Sequence, residues 1–388
     1  MSTMKHLQLA CALSLLGGVA AAQPALKVIK QVPCGQRTEP PTLDGLTAPR
    51  IVDRGRTLYY GRGLWAEQHR FHLVRLADGA ALSLEAPIAA FFAREQQTFP
   101  GAKDSGHPRF EMRSLLFYDS DLQLAGILLV EQPAKHDRAR GARKLYYLHW
   151  DLAQKQIRGA TLLGEERHGG YTFTVTPIGY DHAARELLCQ VVDGPNKGAD
   201  PPYTVSIVAL GPRGQKRTVA QLGAARAISG GPYHDPDRRR ALVVEYAELP
   251  VEGAPPRGYL VDLATGKQSS FEIPVTTYGV AFDPDGKTLY LYSSQLGKLM
   301  AVDAATGKRG KVLDVGTLGH ALGFAAKGTL LVLRNAGLQL VDARRLVKKP
   351  FVPMKRLYPG FSHVEGSLVS PGRMVIKNGA VLHLVETR

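Results

Sequence analysis

Cysteine is nearly missing from this chain. Of three cysteines in 388 residues, Cys11 falls in the first apolar run and only Cys34 and Cys189 lie beyond it. A disulfide-dense scaffold is thereby excluded. Cys34 and Cys189 stand far apart with no spacing signature, so their pairing is left open. Tryptophan occurs twice and aromatic residues make up 7%. Helical periodicity is almost absent, a short turn around "PIAAFFAREQQ" aside. No C-x-x-C-H, phosphate-cradling glycine loop or G-x-S-x-G elbow occurs, which removes c-type haem attachment, nucleotide cradles and a serine-peptidase elbow. Acidic side chains are the scarcer sign, 34 against 49 basic ones, for a net charge of +15.

Long apolar runs are also lacking beyond the first residues. There, Lys5 precedes "LQLACALSLLGGVAAA", which ends in three alanines before Gln23. Charged, apolar and small residues in that order read as a secretory signal over residues 1–22, cleaved after Ala22. The residues before Cys11, Gln8-Leu9-Ala10, fit a lipidation box poorly. The run is too short for a convincing span, so a periplasmic or secreted chain is expected that does not cross a membrane and is monomeric. Basic clusters such as Arg238-Arg239-Arg240 lack interleaved aromatics, and nucleic acid is not an expected partner of an exported chain. They read mainly as a solvated surface. The sharper reading is attraction to an anionic polymer or glycan of the envelope.

What is present is repetition. "GKTLYLYSSQLGKLMAVDAATGK" and "KGTLLVLRNAGLQLVDARR" each spell a turn, a β-rich run, a short loop, a second β run, Val-Asp and a turn. The same grammar recurs from "RTLYYGRG" near residue 56 to "RMVIKNGAVLHLVE" at the end, seven hairpins in all. Their spacing of roughly 50 residues is near that of a four-stranded propeller blade. Residues 23–388 are therefore expected to form one all-β domain, a seven-bladed β-propeller of four-stranded antiparallel blades. The last hairpin leaves no room for an outer strand, whereas "ALKVIKQV" at 25–32 is an orphan β run. Pairing the two would close the last blade with the N-terminal strand and remove an exposed edge.

The stretch "YGVAFDPDGKTLYLYSSQLGKLMAVDAATGK" resembles the YVTN-type repeat of bacterial exported propellers, closely over about 259–345 and only loosely elsewhere. The wider superfamily includes lactonase-like enzymes and non-catalytic envelope propellers. The matching residues are turns and core, so the resemblance implies a fold more than an activity.

With strands A to D running outward in each blade, the A–B and C–D turns share one face. Their regular Pro-Asp-Gly-Lys and Thr-Gly-Lys sequences read as structural. The Asp283/Asp285 and Asp235/Asp237 pairs look like calcium loops until the turn reading explains them more simply. The B–C connections vary, and they share the opposite face with the entries into strand A. "YGVAF", "HALGF" and "HVEGS" place Tyr278, His320 and His363 at equivalent entries. His168 and Tyr171 in "RHGGYTF" join them with looser register, and Trp65 stands in a long early B–C connection. The bland reading makes these blade-to-blade hydrogen-bonding side chains or packed loop residues, and it outweighs the functional one. The functional reading makes them a ligand-binding mouth. The chain is accordingly expected to be a binding or scaffold module for an envelope protein, a glycan or another anionic polymer. The alternative is a lactonase-like hydrolase with His320 or His363 as candidate catalytic groups, with or without a divalent cation. No cofactor is expected, and no local metal spacing is present. Glu365 is the one nearby acid that can be placed.

Overall fold

The computed structural model describes residues 26–33, 50–60, 70–95, 110–133, 142–166, 171–195, 204–212, 214–224, 233–245, 255–274, 277–326, 328–353, 366–370, 373–378 and 381–387. The strand β1 (Leu26–Pro33) stands apart from those that follow it. Sheet 1 holds β2 (Arg50–Val52), β3 (Thr57–Tyr60), β4 (Arg70–Arg75) and β5 (Ala81–Glu85). Sheet 2 holds β6 (Phe110–Asp119), β7 (Leu124–Glu131), β8 (Arg143–Asp151) and β9 (Gln156–Glu166). Sheet 3 holds β10 (Tyr171–Asp181), β11 (Glu186–Pro195), β12 (Thr204–Leu210) and β13 (Lys216–Ala224).

Sheet 4 holds β14 (Tyr233–Asp235), β15 (Arg240–Val244), β16 (Arg257–Asp262) and β17 (Gln268–Glu272). Sheet 5 holds β18 (Thr277–Phe282), β19 (Thr288–Ser293), β20 (Lys298–Asp303) and β21 (Arg309–Asp314). Sheet 6 holds β22 (Gly319–Ala326), β23 (Thr329–Arg334), β24 (Gly337–Asp342) and β25 (Val347–Pro353). Sheet 7 is completed out of order. Its β26 (Gly366–Ser370), β27 (Arg373–Asn378) and β28 (Val381–Thr387) take β1 as fourth strand, antiparallel to β28 from Leu26 opposite Thr387 to Pro33 opposite Val381. Among the described residues the fold is thus seven four-stranded antiparallel sheets.

Burial explains why the middle hairpins were so legible. The second strand of sheet 5, "TLYLYS", is buried from Leu289 through Ser293, on both faces, so it reads as a continuous apolar run. Its outer strand, "RGKVLD", is exposed except at Leu313, which is half-buried. Side chains on the two faces of a sheet enter two different cores, each shared with a neighbour. Phe71 and Leu73 of sheet 1 pack with Leu148 and Trp150 of sheet 2. Tyr290 and Leu299 of sheet 5 pack with Leu330 and Val341 of sheet 6. Burying one such side chain is worth roughly 1.5–3 kcal/mol, so successive sheets are held by sums of such terms. The turn in "PIAAFFAREQQ" is a helix, α1 (Ile88–Glu95). It buries Ile88 and Phe91 in the core between sheets 1 and 2, and Arg94 Nη2 donates to the Ile157 carbonyl at 3.1 Å.

A recurring Val-Asp closes the third strands of sheets 4, 5 and 6. Asp303 Oδ1 accepts the N–H groups of Ala305 at 3.0 Å and Thr306 at 2.7 Å, and the Thr306 hydroxyl at 2.7 Å. Asp262 repeats this with Ala264 at 3.0 Å, Thr265 N–H at 2.7 Å and the Thr265 hydroxyl at 2.9 Å. Gly266 and Gly307 follow at φ 74° and 72°, the left-handed region that glycine enters without strain. The Leu263 and Ala304 N–H groups then donate across to the A–B turn carbonyls of Arg239 and Lys287, both at 2.8 Å. This ties the two turns of one sheet together.

These bonds favour the ionised carboxylate. The Thr306 hydroxyl and N–H hold Asp303 below the ordinary 3.8, and the Thr265 N–H does the same for Asp262. A depressed folded pKa contributes stability that is present above the unfolded value and lost as pH falls through the folded one. Asp262→Asn and Asp303→Asn should therefore lower stability at neutral pH and flatten its fall below about pH 4, measured by urea unfolding at stepped pH. An unchanged acid limb in the double variant would contradict this.

Candidate functional site

The strand-A ends at the A–B turns carry a repeated aspartate, and each of these carboxylates is engaged. Asp53 accepts Arg56 Nη2 at 2.7 Å and the Thr57 hydroxyl at 3.1 Å within sheet 1. From sheet 2, the Ser120 N–H at 2.8 Å and its hydroxyl at 2.9 Å also reach it. Asp119 accepts the N–H groups of Asp121 at 3.0 Å and Leu122 at 2.9 Å, and Arg54 Nε from sheet 1 at 3.2 Å. Asp181 accepts Ala183 and Ala184 N–H at 3.0 and 3.1 Å, and Arg239 Nε from sheet 4 at 2.8 Å. Arg240 Nη2 donates to Asp235 at 3.0 Å and to the Gly286 carbonyl of sheet 5 at 2.8 Å. The Asp283 carboxylate accepts the Asp285 N–H at 3.0 Å, so Asp283 and Asp285 form a turn as the simpler sequence reading held.

Between these turns lies a cavity of ≈ 450 Å³, walled by strand-A ends of sheets 1 to 4. Val52, Leu116, Phe117 and Ile178 supply apolar wall, and Tyr180, His182 and His234 supply polar wall. The Tyr180 ring stacks on Phe117 at 4.6 Å and meets the His182 ring edge-on at 5.0 Å. Tyr180 Oη and His182 Nδ1 are both buried without a hydrogen-bond partner. His182 Nδ1 lies 3.4 Å from Asp119 Oδ2 without the alignment a bond requires. Burial, then the Asp119 charge, pushes the Tyr180 phenol up to about 12. Burial, then the Arg54 guanidinium, pulls His182 down, and burial pulls His234 down to about 4. Both imidazoles are thus neutral at pH 7.

The rim on sheet 1 is strained. Asp53 and Arg54 lie at φ 55° and 54°, followed by Gly55 at 83°. Two successive non-glycine residues in this region cost about 1–2 kcal/mol each. The four bonds to Asp53 hold the turn in that shape. Such strain gathers where a structure positions groups for use.

Of the residues singled out from sequence, Tyr171, Tyr278 and His320 lie at the other ends of their A strands. Tyr278 and His320 are each the second residue of their strand, β18 and β22. Each falls at a break in register with the second strand, between Thr277 and Gly279 and between Gly319 and Ala321. Their backbones are therefore equivalent, while their side chains are not among those described. Tyr171 opens β10 opposite Pro195, its side chain likewise undescribed. His168, His363, Trp65, Glu365 and Cys34 lie outside the described residues. Cys189 is buried in the core between sheets 2 and 3. Among the described residues, no group of three His, Cys, Asp or Glu side chains is placed to hold a metal ion. No helix among them is long and apolar enough to cross a membrane.

Sequence reasoning missed Arg54, His182 and His234. A ring-then-aspartate pair at the end of strand A, as in Tyr118-Asp119, Tyr180-Asp181, His234-Asp235 and Phe282-Asp283, would have pointed to His234, whereas Arg54 and His182 each directly follow such a turn aspartate.

No protein-family model and no curated protein matches the chain. Among solved structures, a chain of the "Crystal Structure of Mitotic Checkpoint Complex" is similar to it with a TM-score of 0.54 and 10% identity, over 95% of this chain and 94% of that one. At this identity the likeness is one of fold. It supports a propeller-like architecture and does not single out the YVTN-type or lactonase-like proteins.

A β-carbon at Gly179 would stand 2.2 Å from His234 Nδ1. Gly179→Ala should displace that imidazole and cost roughly 1–3 kcal/mol. His234 stays neutral in the folded chain down to about 4, against an ordinary 6.5. The unfolded chain therefore binds the extra proton first, and stability is full above about pH 6.5 and falls by roughly 3 kcal/mol between there and about pH 4. His234→Gln should remove that part of the profile. A profile identical to that of the parent chain would refute the assignment.

Proposed function

We propose that the seven sheets close into a ring, a seven-bladed propeller, and that the chain is an exported binding or scaffold module whose partner is a protein. The observation that carries this reading is the placement of the long connections. Between second and third strands, sheets 1 to 4 have connections 61–69, 132–142, 196–203 and 245–256, whereas sheets 5 to 7 have 294–297, 335–336 and 379–380. Antiparallel alternation sends all of them off the same side. The strand ends that the long ones join belong to consecutive sheets, 1 to 4. Long variable connections on a rigid scaffold are where partners dock.

The same connections carry both signs of charge, from Lys135, Arg138 and Arg140 to Glu248 and Glu252. Mixed charge fits a protein surface better than a uniformly anionic polymer, despite the basic balance of the whole chain. Trp65, in the first of these connections, is the residue type that most often anchors such an interface. Tyr278 and His320 open their A strands on the same side, and with His363 they would border the contact.

The equivalent backbone positions of Tyr278 and His320 favour a second reading, a lactonase-like hydrolase working at the same mouth. One experiment separates the two. The chain is used to capture partners from an envelope extract, beside Trp65→Ala, His320→Ala and His363→Ala, and each is assayed for lactone hydrolysis. The binding reading expects a stoichiometric protein partner, held at least tenfold more weakly by Trp65→Ala. Lactone hydrolysis abolished by either histidine change would replace it with the enzyme reading.

A further inference from the structure

We infer that the cavity at the A–B turn ends of sheets 1 to 4 is a binding site for a small, uncharged, largely apolar molecule carrying a hydroxyl or carbonyl group. The inference does not rest on the partner-docking reading, since this cavity sits at the opposite ends of the strands.

Size comes first. At ≈ 450 Å³ the cavity lies within the range that takes a ring-sized ligand. Charge comes second. The two carboxylates on its wall, Asp53 and Asp119, are saturated by Arg56, Thr57, Ser120, Arg54 and the turn N–H groups. Arg54, the guanidinium on the wall, faces Asp119 at 3.2 Å and Asp121 at 3.8 Å. No uncompensated charge is left to select a cation or an anion, and both imidazoles are neutral.

The remaining polar capacity is specific. Tyr180 Oη and His182 Nδ1 are buried polar atoms with no partner in the protein, an arrangement that folded chains avoid unless a ligand or water completes it. They stand on neighbouring rings of one wall, with centroids 5.0 Å apart. Around them Val52, Leu116, Phe117 and Ile178 offer only apolar surface. A molecule that matches this wall has an apolar ring and one oxygen. That oxygen accepts from the Tyr180 hydroxyl, and where it carries a proton it donates to whichever ring nitrogen is unprotonated. The strained Asp53-Arg54-Gly55 rim, over-determined by bonds to sheet 2, keeps the site open before the ligand arrives.

The test is calorimetric titration of the full chain with five probes of similar size: phenol, cyclohexanone, toluene, benzoate and benzylammonium. Phenol and cyclohexanone should bind at least tenfold more tightly than toluene, and the two ions at least tenfold more weakly than phenol. Tyr180→Phe should abolish the preference of phenol over toluene without lowering the melting temperature, because the hydroxyl it removes has no partner to lose. A merely structural tyrosine would show the reverse, a lower melting temperature with affinities unchanged. No binding of phenol or cyclohexanone at millimolar concentration, an ion binding as tightly as phenol, or an unaltered preference in Tyr180→Phe would each overturn the inference.

Discussion

The joints between sheets 1 and 2 and between sheets 3 and 4 depend on the aspartate that ends a strand and turns the chain. At the C–D turns its carboxylate gathers two backbone N–H groups and often a hydroxyl, satisfying donors that a tight turn would otherwise strand. At the A–B turns the same device gains a second duty. The carboxylates of Asp53, Asp119 and Asp181 accept bonds from the neighbouring sheet as well as from their own turn. A local turn thereby becomes a joint between sheets. Apolar burial supplies most of the energy that holds neighbours together, but it does not fix their mutual register. The aspartate–arginine and aspartate–serine bonds do.

The two sides of the molecule follow from that constraint. On the turn side the aspartates and arginines hold sheets in place, and two orphaned polar atoms, Tyr180 Oη and His182 Nδ1, face one cavity walled by four strand-A ends. On the other side, the connections between second and third strands vary in length from two residues, 335–336, to twelve, 245–256.

The architecture was legible because second and third strands are buried on both faces. "TLYLYS" and "TLLVLR" could be read as strands from composition alone, and seven such hairpins count seven sheets. The orphan run at 25–32 was legible for the opposite reason: the final hairpin lacked an outer strand, and β1 (Leu26–Pro33) supplies it. The short leading strands β2 and β14, three residues each, were invisible to any periodicity. The cavity was hidden more deeply. His182 and His234 are 52 positions apart in number, and only the packing of sheets 3 and 4 brings His234 over Gly179. Sequence drew attention to Tyr278, His320 and His363 because their strand entries align as text. It passed over the Asp235/Asp237 turn as plain structure. That reading of the turn was sound, yet it obscured the ring preceding the aspartate.

The chain's first strand completes its last sheet. Amide hydrogen exchange read by mass spectrometry over residues 381–387 probes that pairing, comparing the full chain with one lacking 26–33. Hydrogen bonds to β1 require the β28 amides that face it to be protected in the full chain and to exchange rapidly in the shortened one. Equal protection in both would show that β28 owes nothing to β1, and the closure of the seventh sheet would have to be abandoned.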